Sequence, residues 1–118
     1  MKKIYHLATC KTCQKIIAET KPGKDFVFQN IKEEKITPGQ LDEMKNLSGS
    51  YDALFTKRSM KFRAWKLQDK DLSEKDKRDL ILKEYTFLKR PVFIVGKNIF
   101  IGNAKVTVEN IRKAVKSK

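Results

Sequence analysis

The 118-residue chain has two cysteines, one histidine and no long apolar run. Each scarcity removes a class of protein. Two cysteines cannot build a disulfide framework, so a disulfide-stapled extracellular scaffold is excluded and a reducing cytoplasm is the expected setting. A closed structural zinc site needs four Cys or His ligands, and Cys10, Cys13 and His6 are the whole supply. No metal is expected. No segment has the length and apolarity to cross a bilayer, and Met1-Lys2-Lys3 leads into too short an apolar run for a secretory signal, so neither a membrane nor export is expected. Acidic residues are also few: 14 Asp and Glu stand against 27 Lys and Arg, a formal charge of +13. The cations are spread along the whole chain, with a concentrated end only at Arg112-Lys113-Ala114-Val115-Lys116-Ser117-Lys118. No RNP, zinc-finger or basic-zipper pattern accompanies them, so an anionic small substrate or an acidic partner is expected rather than direct nucleic-acid recognition.

What the chain does have is one Cys-x-x-Cys pair, Cys10-Lys11-Thr12-Cys13, after the apolar run Ile4-Tyr5-His6-Leu7 and before a helix-like run from Gln14. Three readings compete for such a pair: half of a zinc site, a redox couple, or two small core residues. Zinc fails on ligand count. A strand handing over to a helix puts Cys10 where free backbone N–H groups and the positive end of the helix dipole stabilise a thiolate, which favours redox or nucleophilic use.

The length suits a single domain with a real core. Lys3 to Leu7 reads as a strand, Gln14 to Glu19 as a helix stopped by Pro22-Gly23, and Asp25 to Gln29 as a second strand, a β-α-β unit that implies a parallel pair. From Thr37 to Tyr85 the pattern is helical throughout. Thr37 is the expected N-cap of a helix with Pro38 at its first position, Ser48-Gly49-Ser50 ends it, and Ser73 with Asp76 opens another. Pro91 to Val95 and Ile99 to Gly102 form a hairpin around Gly96-Lys97-Asn98, and Val108 to Val115 returns to helical spacing. In order this is β-α-β, a helical block, then β-β-α. It predicts an α/β, thioredoxin-like fold with a mixed four-stranded sheet, its core in about 1–36 and 86–118 and an all-helical insertion in about 37–85. Pro91, ahead of the third strand, is the candidate for a cis peptide beside the Cys-x-x-Cys pair.

The chain resembles, nearly end to end, the arsenate reductase family that includes ArsC and the Spx-like regulators. The resemblance rests on Ile4-Tyr5-His6 with Cys10 four residues on, Thr37-Pro38-Gly39-Gln40-Leu41, Leu54-Phe55-Thr56-Lys57-Arg58 and Leu88-Lys89-Arg90-Pro91-Val92. It implies that Cys10 is the nucleophile, that Arg58 and Arg90 bind an oxyanion, and that His6 and Lys11 add to the same field. Thr12 and Pro91 are then structural parts of the site. Guanidinium groups suit this work because they grip tetrahedral oxyanions bidentately and lower the pKa of a neighbouring thiol. The family's third arginine, in a Gly-Arg-Pro turn, is replaced here by Gly102-Asn103-Ala104, and the arginine that often follows the active loop is Gln14. Cys13 is present, as in the Spx-like regulators, so an oxidised Cys10 has an internal resolving thiol. Two functions follow from the resemblance. One is a thiol-dependent reductase of arsenate or a related oxidised substrate, with Cys13, glutathione or glutaredoxin as the source of reducing equivalents. The other is a redox-sensing regulator that binds RNA polymerase through a Cys10–Cys13 switch.

Overall fold

The computed structural model describes residues 1–116 and divides into two compact units, one made of Met1–Glu34 with the chain from Arg90 on, the other of Lys35–Lys89. The first unit holds strands β1 (Lys2–His6), β2 (Val27–Asn30), β3 (Val92–Val95) and β4 (Asn98–Ile101), with helices α1 (Lys11–Thr20) and α5 (Lys105–Lys116). The sheet order is β2-β1-β3-β4. β1 runs parallel to β2 and antiparallel to β3, and β3 and β4 form the hairpin, so the sheet is mixed as the sequence predicts. Its turn places Gly96 at φ 63°, a left-handed conformation that costs glycine nothing.

The register explains the core. Ile4 stands opposite Phe93, and Phe93 opposite Phe100, so one face of the sheet carries an apolar row. α1 brings Ile16 onto that row and α5 brings Ile111, closing a cluster of Ile4, Ile16, Phe26, Phe93 and Ile111. The Val108, Ile111 and Val115 spacing that predicts the last helix is the stripe that packs here. Tyr5, Val92 and Ile94, on the opposite face, are buried as well.

In the second unit the sequence signals act locally. Thr37 caps α2 (Pro38–Ser48): its hydroxyl accepts from the Gln40 N–H, and the Gln40 side chain accepts from the Thr37 N–H, both at 3.1 Å. Ser73 and Asp76 repeat this reciprocal cap on α4 (Glu74–Lys83). Between them lie α3 (Met60–Ala64) and short 3-10 turns at Asp52–Leu54 and Leu67–Asp69, with a third at Tyr85–Phe87. Phe55 and Phe87 stack at 5.3 Å over a core that includes Leu41, Met44, Leu54 and Ile81. The block is not helical at every residue. Phe55 pairs with Leu88 in an isolated antiparallel bridge, fastened by the Thr56 N–H to the Phe87 carbonyl at 2.8 Å and the Lys89 N–H to that of Leu54 at 2.8 Å. A single bridge of this kind has no two-residue periodicity and leaves no pattern to read.

α2 and α4 are also tied by side chains. Asp42 accepts from the Tyr51 hydroxyl at 2.6 Å and from Arg78 Nε at 2.8 Å. The Arg78 guanidinium, with help from Tyr51, holds the Asp42 carboxyl down to about 2. A depressed carboxyl contributes stability that is present above its unfolded pKa and lost as pH falls through the folded one, so this tie survives ordinary acid conditions.

Candidate functional site

β1 ends at His6, and the chain turns at once. The Cys10 N–H donates to the Leu7 carbonyl at 2.9 Å, which makes Ala8-Thr9 a tight turn. Asn30, at the end of β2, accepts from the Ala8 N–H at 3.3 Å, and the Gln14 side chain donates to the Ala8 carbonyl at 2.6 Å. Gln14 therefore pins the turn. Asn30 and Gln14 are positioning residues that their residue types alone do not announce.

Cys10 is the N-cap of α1, with φ −84° and ψ 115°. The helix begins at Lys11, three residues before the predicted start at Gln14, so the Cys-x-x-Cys pair is the first turn of the helix and not a loop ahead of it. The buried side of the helix is Cys13, Ile16 and Thr20, and of these only Ile16 reads as a plainly apolar residue, so the pattern signals a helix only from there. Cys10 is half-buried, Lys11 and Thr12 are exposed, and Cys13 is fully buried, three residues after Cys10.

This placement splits the two thiols chemically. Cys10 makes no short side-chain cap bond of the kind Thr37 and Ser73 make. Burial acts to raise its pKa but is outweighed by the Cys13 N–H, the Cys13 thiol, the Thr12 N–H and the Arg90 guanidinium, leaving Cys10 below the ordinary thiol value. Burial pushes the Cys13 thiol up to about 11, with the Cys10 charge adding to the rise. One sulfur is disposed to be a thiolate, the other to keep its proton.

Arg90 stands directly before β3, half-buried, and its charge acts on both thiols. The Arg90–Pro91 peptide is cis, the isomer expected of Pro91, and the Pro91 carbonyl accepts from the Gly102 N–H at 2.9 Å. Asn103 is exposed between β4 and α5. His6 packs edge-on against Phe28 at 5.5 Å, and burial lowers its pKa. The largest influences on the Cys10 pKa come from Cys13, Thr12 and Arg90 rather than from His6 or Lys11. Arg58 belongs to the second unit, where it lines a groove with Lys57 and Arg63. Among the described residues, no cluster of three or more His, Cys, Asp or Glu is placed to hold a metal, and no helix is long and apolar enough to cross a membrane.

The split has a direct reading in solution. Alkylation of Cys10 by iodoacetamide is expected to rise with pH around a midpoint below that of free cysteine, while Cys13 stays unmodified until far more alkaline pH. Cys13→Ala removes an S–H donor from the Cys10 sulfur, so the Cys10 midpoint is expected to move up. A midpoint unchanged by that substitution would show that the two thiols do not interact.

Solved structures share this architecture. One titled as the YffB protein superposes with a TM-score of 0.79 at 22% identity, covering 98% of this chain and 99% of its own. An arsenate reductase from Vibrio cholerae gives a TM-score of 0.76 at 18% identity, covering 93% and 96%. An arsenate reductase related protein from Brucella melitensis gives 0.71 at 22% identity, covering 92% of each chain. Likeness at these identities establishes the fold. No curated protein sequence matches the chain. The sequence pattern of the ArsC family matches residues 5–111, nearly the whole chain, and the protein belongs to the ArsC family.

Proposed function

We propose that the protein is a thiol-dependent reductase in which Cys10 attacks an oxidised substrate and Cys13 resolves the adduct, with arsenate as the substrate to test first. The observation that carries this reading is the pairing of a half-buried Cys10 at the start of α1 with a fully buried Cys13 in the same helical turn. The Cys10 thiolate forms a sulfur–arsenic bond as a hydroxyl of arsenate takes a proton from solvent and leaves as water. The Cys13 sulfur then attacks the Cys10 sulfur, and the electron pair of the breaking bond leaves with arsenic, which falls from As(V) to As(III) as arsenite. The Cys13 proton goes to the departing oxyanion, and two thiols have become one disulfide.

The two steps help one another. Part of what holds the proton on Cys13 is the Cys10 charge, and that charge disappears when the adduct forms. Arg90 is a cation of this unit that acts on both thiols, and Asn103 adds no charge. Glutathione or glutaredoxin returns the disulfide to the dithiol. Purified protein with glutathione and glutaredoxin is expected to consume reducing equivalents only when arsenate is added, releasing arsenite. No turnover with arsenate or any other tested oxyanion would sink this reading.

A second reading, a redox-sensing regulator that binds RNA polymerase, draws on the pairing of Cys10 with Cys13, because closing the disulfide removes the Cys10 charge from the start of α1. Its test is retention of RNA polymerase on the immobilised protein in the dithiol but not the disulfide state, or the reverse. Failure to retain it in either state counts against it.

A further inference from the structure

The second unit carries a concentrated cationic surface that includes Arg58. Between residues 57 and 66 stand Lys57, Arg58, Lys61, Arg63 and Lys66, all exposed, with no acidic residue among them. Some cations elsewhere pair with carboxylates, as in Lys2–Asp25, Lys77–Asp52, Arg78–Asp42 and Arg112–Glu109. None of the five forms an ion pair among the described residues. Concentrated charge of one sign without internal compensation repels itself and attracts an opposite surface.

An apolar centre accompanies the charge. Met60 is 89% exposed, more than any other large apolar residue among those described. It lies with Lys57, Arg58, Phe62, Arg63 and Gln68 along a groove of about 1000 Å³. The scaffold beneath enforces this exposure. The Ser59 hydroxyl caps the Lys61 N–H at 3.2 Å and shares a 2.7 Å hydrogen bond with that of Thr86. Phe62 packs edge-on against Phe55 at 6.2 Å and Trp65 against Phe87 at 5.5 Å, so the inward side of α3 is fixed and Met60 is left on the outward side. A surface held in place before binding loses little entropy on binding, and the flexible thioether of methionine fits partners of varied shape.

We propose that this groove docks an acidic protein segment with a bulky apolar side chain, received by Met60 and Phe62 while its carboxylates meet Lys57, Arg58 and Arg63 along the groove and the exposed Lys61 next to Met60 in the chain. Charge complementarity selects the acid, and the exposed Met60 selects the apolar anchor. A single-stranded nucleic acid fits less well, because it needs open aromatic faces on which bases stack. Phe62 is engaged with Phe55, and Trp65 lies between Phe87 and the Lys83 ammonium, 5.3 Å from its ring.

The test uses the full chain and three labelled probes in fluorescence anisotropy: a glutamate peptide with phenylalanine at its centre, an all-glutamate peptide, and an oligothymidylate of matched charge. The phenylalanine peptide is expected to bind about tenfold more tightly than the all-glutamate peptide and to shift the Met60 methyl resonance. Met60→Ser is expected to erase that difference. Lys61→Glu with Arg63→Glu is expected to weaken both peptides about tenfold or more, more strongly at low salt than at high. These three residues are exposed or solvent-facing, and circular dichroism verifies that the variants fold. No binding, or equal binding of the two peptides with no effect of Met60→Ser, overturns the docking site. Tighter binding of the oligothymidylate overturns the protein partner in favour of a nucleic acid.

Discussion

Cys10→Ser is expected to abolish arsenate-dependent thiol consumption, a fall of at least about 10³-fold. A serine hydroxyl stays protonated where the Cys10 thiol ionises, and oxygen cannot replace sulfur in a disulfide. The substitution suits the backbone, because serine is among the best N-cap residues and Cys10 occupies the N-cap of α1. Stability is therefore expected to hold or to rise by up to about 1 kcal/mol. A folded, inactive and slightly more stable protein is the combined signature. Cys13→Ser is expected to behave differently: the first attack survives, resolution is left to an external thiol, and a Cys10–glutathione adduct accumulates that mass spectrometry detects. Activity retained in Cys10→Ser, or an adduct found on Cys13 in the wild type, would invert the assigned roles.

Phe93→Ala is expected to cost about 3–5 kcal/mol, since it empties a fully buried aromatic site at the middle of the first unit. β3 is an interior strand, and the Phe93 ring meets Phe26 at 6.4 Å within the cluster that includes Ile16 and Ile111. Neighbours drawn from five separate segments of chain cannot all collapse into the space left behind. Against a total stability of about 5–15 kcal/mol this is a large fraction, visible as a lower urea midpoint. Val106→Ala, at a position 67% exposed on α5, is the control and is expected to change stability by no more than about 0.5 kcal/mol. Equal effects of the two substitutions would show that the cluster around Phe93 is not the core.

The elements most legible in the sequence are those whose signals are local. Thr37-Pro38 and Ser73 with Asp76 mark helix starts because a cap is a contact between residues three apart. The Pro91–Val95 and Ile99–Gly102 runs around Gly96 mark a hairpin for the same reason. The start of α1 is less legible because the buried residue of its first turn is Cys13, which reads as part of a Cys-x-x-Cys pair rather than of an apolar stripe. The Phe55–Leu88 bridge was invisible because its two residues lie far apart in the chain and neither belongs to a strand.

For the site, the sequence by itself determined which atoms are available: two sulfurs three residues apart at a strand-to-helix junction, one arginine before a proline, and asparagine and glutamine where the family resemblance expects cations. It also determined the mixed sheet, since the order β-α-β then β-β-α admits few other arrangements. The junction also marks Cys10 as the sulfur that helix-start amides can favour as a thiolate, and tertiary structure widened its difference from Cys13. Cys10 and Cys13 are the same residue type in the same helical turn, and what separates them is burial of one against the core and exposure of the other to amide donors and the Arg90 charge. The amide donors are local, from Thr12 and Cys13, but the burial of Cys13 and the Arg90 charge come from segments remote in sequence. No reading of Cys10-Lys11-Thr12-Cys13 as a string contains them.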